Sequence, residues 1–128
     1  MSPLKKTILP IFLATIWISL SEFVRNEFLV KSYWIEHYQK LALTFPSDPI
    51  NGAVWGLWSL LFAISIFVIA TKFSLVQTFL LSWLVCFVLM WIVIGNLNIL
   101  PYRILLYAIP LSLLEAFIAA LIIKKLSR

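Results

Sequence analysis

Apolar residues in this chain fall into four long runs separated by short polar stretches. The runs cover about residues 7–25, 51–71, 74–97 and 101–123. Each run approaches or exceeds the roughly 20 helical residues that cross the hydrocarbon of a bilayer. A spanning segment must satisfy its own backbone hydrogen bonds, so helices are expected. The pattern predicts an all-α, polytopic membrane protein with four transmembrane helices in an antiparallel bundle, as a single transmembrane domain over residues 1–128.

The first run permits a second interpretation. Lys5 and Lys6 precede a short apolar stretch, and the small residues Ser19 and Ser21 follow it. A secretory signal peptide cleaved after Ser21 has the same pattern and would leave three spans. We expect the first run to remain as a membrane span.

Composition supports a membrane protein and changes the meaning of the charge. Hydrophobic residues make up 63% of the 128 residues and charged residues 12%, which is far from a soluble domain of this length. The net charge of +5 would favour nucleic acid in a soluble protein, but here the basic residues lie mainly at span ends. There they orient the protein and meet lipid headgroups, so the bilayer is the expected partner and nucleic acid is not.

Basic residues near the span ends also predict orientation. With both termini inside the cell, six basic residues face the cytoplasm and four face outward. The inner six are Lys5, Lys6, Lys72, Lys124, Lys125 and Arg128, and the outer four are Arg25, Lys31, Lys40 and Arg103. The excess predicts an N-in, C-in arrangement. The compact size favours the inner membrane of a bacterium.

The connection between the first two runs contains an amphipathic segment at about residues 27–45. Trp34, Tyr38, Leu41 and Phe45 recur at helical spacing within it. Aromatic side chains suit the headgroup layer, so the segment is expected to lie in the outer membrane interface. Two pairs on it have a favourable four-residue offset, namely Glu27 with Lys31 and Glu36 with Lys40.

Two further signals predict where helices begin. Ser74 followed by Gln77 has the pattern of a capping box at the start of the third span. Asp48 before Pro49 has the pattern of an N-cap at the start of the second.

The most informative polar residues lie in the outer half of the first span. Thr15, Ser19, Glu22 and Asn26 fall within about 60 degrees of one another on a helical wheel. Polar residues are costly in a membrane helix and tend to mark packing or function. Arg25, three residues after Glu22, is placed to pair with it.

Other polar residues are expected at the same side of the membrane, and together they could form a cup beneath the amphipathic segment. Such a cup would bind a small polar or anionic group. The alternative is that each residue only caps a helix end or satisfies its neighbour. The predicted ligand-binding residues are Glu22, Arg25, Asn26, Asn51, Asn96, Asn98 and Arg103.

Glu115 is the only ionisable acid in the fourth span. Counting residues from the expected span ends puts it nearer the cytoplasm than Glu22, so the two carboxylates are not expected at one depth. No basic residue lies within one turn of Glu115, which predicts a protonated or hydrogen-bonded side chain. Staggered carboxylates suit a proton relay, and simple packing is the alternative.

Small residues predict where helices approach closely. Ala108, Ser112, Ala116 and Ala120 form a ladder on the fourth span, and Gly52 with Gly56 forms a GxxxG pair on the second. We expect them to pack helices within one chain rather than between chains.

No cofactor, metal or catalytic nucleophile is indicated by any motif. The first functional hypothesis is therefore a non-enzymatic membrane protein that binds or passes a small ligand or lipid headgroup at its extracytoplasmic face, as a monomer or homo-oligomer. The second is an accessory subunit docking on a larger membrane partner. The third is a lipid-modifying enzyme that uses Glu22, His37 or Glu115 as acid or base.

Overall fold

The computed structural model describes residues 2–128, which form helices joined by short connections. In chain order these are α1 (Pro3–Val24) with a π-helical turn (Arg25–Leu29), α2 (Lys31–Lys40), α3 (Pro49–Ala70), α4 (Leu75–Trp83) with a π-helical turn (Leu84–Val88) into α5 (Leu89–Asn96), and a 3-10 turn (Tyr102–Ile104) into α6 (Leu105–Leu126).

Four helical stretches are long and apolar enough to cross a membrane. They are Pro3–Leu29, Pro49–Ala70, Leu75–Asn96 and Tyr102–Leu126. Their number agrees with the four predicted spans, and their length and composition fit a multi-pass membrane protein. The first is longer than the predicted 7–25 at both ends, because α1 begins at Pro3 and the π-helical turn extends the helix to residue 29.

Helix starts follow the local sequence signals. Ser74 Oγ accepts a hydrogen bond from Gln77 N at 3.2 Å, and Gln77 Oε1 accepts one from Ser74 N at 3.1 Å, which confirms the predicted capping box. Asp48 is the N-cap of α3, with Pro49 in the first turn, also as predicted.

The first helix packs between the second and fourth spans. α1 contacts α3 and α6, while α4 contacts α6 and, less extensively, α3. Small side chains allow this close approach, since Ala14, Ala63 and Ala116 are fully buried where these helices meet. Large apolar side chains such as Phe12 and Leu106 point outward on the same helices, as lipid-facing residues do.

The small-residue ladder of α6 lies inside the chain. Ala108, Ser112, Ala116 and Ala120 are all buried against the other helices, as predicted. Gly56 is half-buried and Gly52 exposed on α3, and a methyl group added to either would meet no other part of the protein within 4 Å. The GxxxG pair therefore does not bring helices together within the chain, contrary to the prediction.

The amphipathic segment is shorter than the predicted 27–45. Residues 27–29 belong to the extension of the first helix, and α2 ends at Lys40. Ala42 adopts a left-handed conformation with φ 59°, and Leu43 N donates to Tyr38 O at 2.9 Å. These are the marks of a Schellman ending, which terminates the helix before Pro46 is reached.

Phe45 still joins the aromatic face to which its spacing assigned it. The chain turns back after Ala42 and stacks the Phe45 ring on Trp34, with centroids 5.7 Å apart. Tyr38 contacts Phe45 edge-on at 5.2 Å. The three aromatic rings form one cluster although only two of them belong to α2.

The last turn of α6 is tied to the connection between α3 and α4. Lys124 Nζ donates to Ala70 O at 2.8 Å and to Phe73 O at 2.6 Å. Carbonyl groups at a helix C-terminus lack intrahelical partners, and a lysine there satisfies them favourably.

Candidate functional site

Three polar side chains at the end of the first helix meet a fourth from α6. Glu22, Arg25 and Asn26 are at least nine-tenths buried, and Glu115 is completely buried. Arg25 Nη2 donates to Glu22 Oε1 at 2.5 Å, and Arg25 Nη1 lies 3.6 Å from Glu115 Oε1. One guanidinium is therefore shared by carboxylates from two helices. We call these four residues the buried charged cluster.

Asn26 holds the Glu22 side chain in place. Its Nδ2 donates to Glu22 Oε2 at 3.1 Å and to the Glu22 carbonyl oxygen at 3.0 Å. With Nδ2 used in this way, Oδ1 is free to accept, and it accepts from Trp34 Nε1 at 3.2 Å. The cluster is thereby connected to α2, which contributes Trp34.

A π-helical turn begins at Arg25 and shapes this end of the helix. Val30 N donates to Arg25 O at 3.0 Å, across five residues rather than four. Both residues that open the wider turn, Arg25 and Asn26, are buried. π-Helical turns are rare and occur frequently at functional sites.

The second π-helical turn also contacts Arg25. It contains Phe87, whose ring centroid is 5.6 Å from the Arg25 guanidinium carbon, within the range of a cation–π interaction. Phe87 in turn packs edge-on against Trp58 and Phe62. Arg25 is thus held between two carboxylates and the face of an aromatic ring, where two irregular helical turns meet.

The sequence-based prediction for Glu115 was wrong in one respect. It placed Glu22 and Glu115 at different depths, whereas a single guanidinium lies near both. The first helix runs on to Leu29, and α6 begins only at Leu105. Glu22 therefore lies about 10 Å from the end of its helix, and Glu115 lies about 15 Å from the start of α6, so the separation in depth is small.

Charges in the cluster do not balance within the protein. Two carboxylates face one guanidinium, and the second and third spans contain no Asp, Glu, Lys, Arg or His. Within residues 2–128, the two carboxylate oxygens of Glu115 have no hydrogen-bond partner, and Arg25 Nη1 has none either. A buried carboxylate in this position is stabilised by a proton or another positive group.

The remaining predicted ligand-binding residues lie elsewhere. Asn51 Oδ1 accepts from Asp48 N at 3.0 Å and so closes the start of α3. Asn96 and Asn98 are exposed at the turn after α5, where Asn98 has φ 61° and ends the helix. Arg103 is exposed in the 3-10 turn. No hydrogen bond or ion pair in the described part of the chain joins these four to the buried charged cluster.

His37 lies outside the cluster as well. Its Nε2 donates to Asn98 O at 2.7 Å, which joins α2 to the turn between α5 and α6. The residues named for an enzymatic acid or base are therefore divided, with the two glutamates in the cluster and the histidine on α2. No group of three His, Cys, Asp or Glu residues that could hold a metal occurs among residues 2–128.

Sequence reasoning missed two residues that position the cluster. Phe87 gave no signal, because an apolar residue in an apolar span is unremarkable. Trp17 donates from Nε1 to the Glu115 carbonyl oxygen at 3.0 Å, but it lies on the side of the helical wheel opposite the polar stripe, so its spacing gave no signal.

No protein-family model, curated protein or solved structure matches this chain.

Proposed function

We propose that this chain binds or passes a small ligand in the membrane, and that the buried charged cluster is the site. The observation that carries the proposal is the Glu115 carboxylate. It is completely buried, it lacks a hydrogen-bond partner in residues 2–128, and its nearest cation is already held by Glu22. Ionisable groups inside a membrane are costly and mark ligand, ion or proton pathways.

The charge of the cluster defines the class of ligand. One positive charge added to Glu22, Glu115 and Arg25 would make the cluster neutral. A proton, a small monovalent cation or the ammonium group of a ligand or lipid headgroup would supply it. Glu115 is the candidate proton carrier, because neither of its oxygens has a hydrogen-bond partner among the described residues.

Access from the side of α2 is supported by the hydrogen bond between Trp34 and Asn26. That bond links the surface helix directly to a residue that also holds Glu22. Movement of α2 would break this bond, together with the bond from His37 to Asn98 O, and would release Asn26. α2 would then act as a lid over the cluster.

We further propose an antiparallel bundle in a bacterial inner membrane, with both termini in the cytoplasm and α2 in the outer interface. The bonds from Lys124 to the turn after α3 and from His37 to the turn after α5 support alternating directions. In a Cys86→Ala background, Lys40→Cys should react with a membrane-impermeant maleimide in intact cells. Lys125→Cys should react only after the membrane is opened, and the reverse result would overturn the orientation.

The binding proposal is tested by thermal unfolding of the purified chain in detergent. The probes are a pH series, Na⁺, K⁺ and methylammonium, applied to wild type, Glu115→Gln and the control Glu27→Gln. A ligand at about 100 times its Kd stabilises the folded state by about 2.7 kcal/mol. We expect one probe to stabilise wild type and the control but not Glu115→Gln.

The sign of the pH result follows from charge balance. Glu22 and Arg25 from the first helix are the charged groups that face Glu115, and no charge comes from the second or third span. If the ligand is a proton, lowering the pH stabilises wild type relative to Glu115→Gln, because the variant cannot take it up. The proposal fails if no cation and no pH step distinguishes wild type from that variant.

A second candidate, docking on a larger membrane partner or a second copy, is favoured by one observation. Gly52 and Gly56 leave part of α3 open to close approach, while the ladder on α6 is used inside the chain. Gly52→Leu should then weaken co-purification of a partner from native membrane. Recovery of the same monomer with and without the substitution would count against this candidate.

A further inference from the structure

A second polar site, separate from the buried charged cluster, lies between α2 and the turn that begins α6. It is a groove of about 280 Å³. Its residues on the α2 side are Tyr33, Glu36, His37 and Lys40, and those on the other side include Tyr102 and Arg103. This volume is near the lower limit of ligand sites, so it suits one headgroup rather than a whole lipid.

The two walls of the groove are fixed relative to each other. The hydrogen bond from His37 Nε2 to Asn98 O, at 2.7 Å, joins the middle of α2 to the turn before Arg103. The rings of Tyr33 and Tyr107 make a second contact, with centroids 6.3 Å apart. Contacts of α2 with the α5–α6 connection and with the first turn of α6 therefore hold the two walls of the groove together.

Cations exceed acids in the groove. Lys40 and Arg103 face a single carboxylate, that of Glu36. The expected ion pair between Glu36 and Lys40 is not formed, and neither cation has a salt-bridge partner within 4 Å in the described chain. By contrast, Lys31 does pair with Glu27, at 2.7 Å. The two groove cations are thus available to an anion.

The surface beside the groove is apolar. Tyr102 is 61% exposed and Leu106, one turn later on the same side of the helix, is 80% exposed. A basic groove that opens onto exposed tyrosine and leucine matches a molecule with an anionic head and an apolar tail. The N-terminal end of α6 carries a partial positive charge near Arg103, which favours a bound anion.

We propose that this groove binds the phosphate group of an anionic lipid through Lys40 and Arg103. The tyrosines line the sides of the headgroup, and the acyl chains follow the exposed face of α6 near Leu106. This inference is independent of the ligand proposed for the buried charged cluster. Inorganic phosphate would meet the same two cations without an acyl tail. The test therefore includes both sources of a phosphate group, the lipid and the free ion.

The test compares lipid binding by the purified full-length chain in a zwitterionic detergent. Phosphatidylglycerol, phosphatidylcholine and inorganic phosphate are titrated separately, and bound molecules are counted by native mass spectrometry. The variant is Lys40→Gln/Arg103→Gln. The matched control, Lys72→Gln/Lys125→Gln, removes two exposed cations from outside the groove.

Wild type should bind phosphatidylglycerol more tightly than phosphatidylcholine. Each cation near an anionic headgroup contributes about fivefold, so the double variant should bind phosphatidylglycerol about thirtyfold more weakly. The control should stay within about twofold. Each single variant should show about a fivefold loss, which keeps the test valid if the double variant unfolds.

Saturable binding of inorganic phosphate that the double variant loses would identify free phosphate as the source. Equal affinity for the two lipids, or equal losses in the variant and its control, would overturn the proposal. Glu115→Gln should leave phosphatidylglycerol binding unchanged. Failure of the buried site and failure of the groove are therefore distinguishable.

Discussion

Replacing Arg25 with methionine should destabilise the protein more than any exposed charge substitution. Methionine keeps an unbranched apolar stem of similar length but removes the guanidinium from Glu22 and Glu115. Removing one partner of a buried ion pair costs about 3–5 kcal/mol, because the other charge stays buried without compensation. Loss of the cation–π contact with Phe87 contributes to the same total.

The loss of folding stability should depend on how many charges of the cluster a variant leaves behind. Arg25→Met leaves two carboxylates facing each other in an apolar environment, so about 4 kcal/mol of stability should be lost. The neutral triple variant Glu22→Gln/Arg25→Met/Glu115→Gln removes every charge and should recover most of that loss. The exposed pair Glu27 and Lys31 is the control, and its neutralisation should cost less than about 1 kcal/mol.

Thermal unfolding followed by far-ultraviolet circular dichroism in detergent measures these differences. We expect Arg25→Met to lower Tm by about 10 °C or more, given a few degrees per kcal/mol for a chain of this size. The triple variant should lie closer to wild type than to Arg25→Met. The reasoning is refuted if Arg25→Met costs no more than the exposed control, or if the triple variant is the least stable of all.

Four other substitutions test the fold by the same unfolding assay. Ala42→Gly should stabilise the protein by about 1 kcal/mol, since glycine adopts the left-handed conformation without strain, and a loss of stability would contradict the assigned helix ending. Ala116→Leu should destabilise by about 1–3 kcal/mol because it overfills a completely buried position, whereas Gly52→Ala should be neutral or stabilising by up to about 1 kcal/mol. Equal effects of Ala116→Leu and Gly52→Ala on stability would contradict the buried position of Ala116 and the open position of Gly52. Trp34→Phe should cost about 1 kcal/mol through the lost hydrogen bond to Asn26, and no change would indicate that α2 is not tied to the cluster.

Length and hydropathy were enough to predict the four long helices. Local chemistry also predicted two of their starts, because the bonds between Ser74 and Gln77 depend only on residues three apart. The end of α2 was missed for the opposite reason. The turn at Ala42 uses a non-glycine residue in a left-handed conformation, and no residue type marks it in the sequence.

The candidate site could be predicted only as far as it lies on one helix. The spacing of Glu22, Arg25 and Asn26 follows from helical geometry, and these residues do meet. The partnership of Arg25 with Glu115 and Phe87 depends on which helices pack together and on two π-helical turns. Neither can be read from the order of residues. Four residues at helix ends and turns were therefore grouped with the cluster although the structure places them apart from it, namely Asn51, Asn96, Asn98 and Arg103.

The contact between Arg25 and Glu115 is best tested by a double-mutant cycle with Arg25→Met and Glu115→Gln in lipid nanodiscs. The two residues lie on different helices and 90 positions apart, so a large coupling energy requires that they contact each other or share one network in the folded protein. We predict a coupling of at least about 1 kcal/mol, with the double variant more stable than Arg25→Met alone. Additive effects of the two substitutions would contradict the shared guanidinium and the function proposed from it.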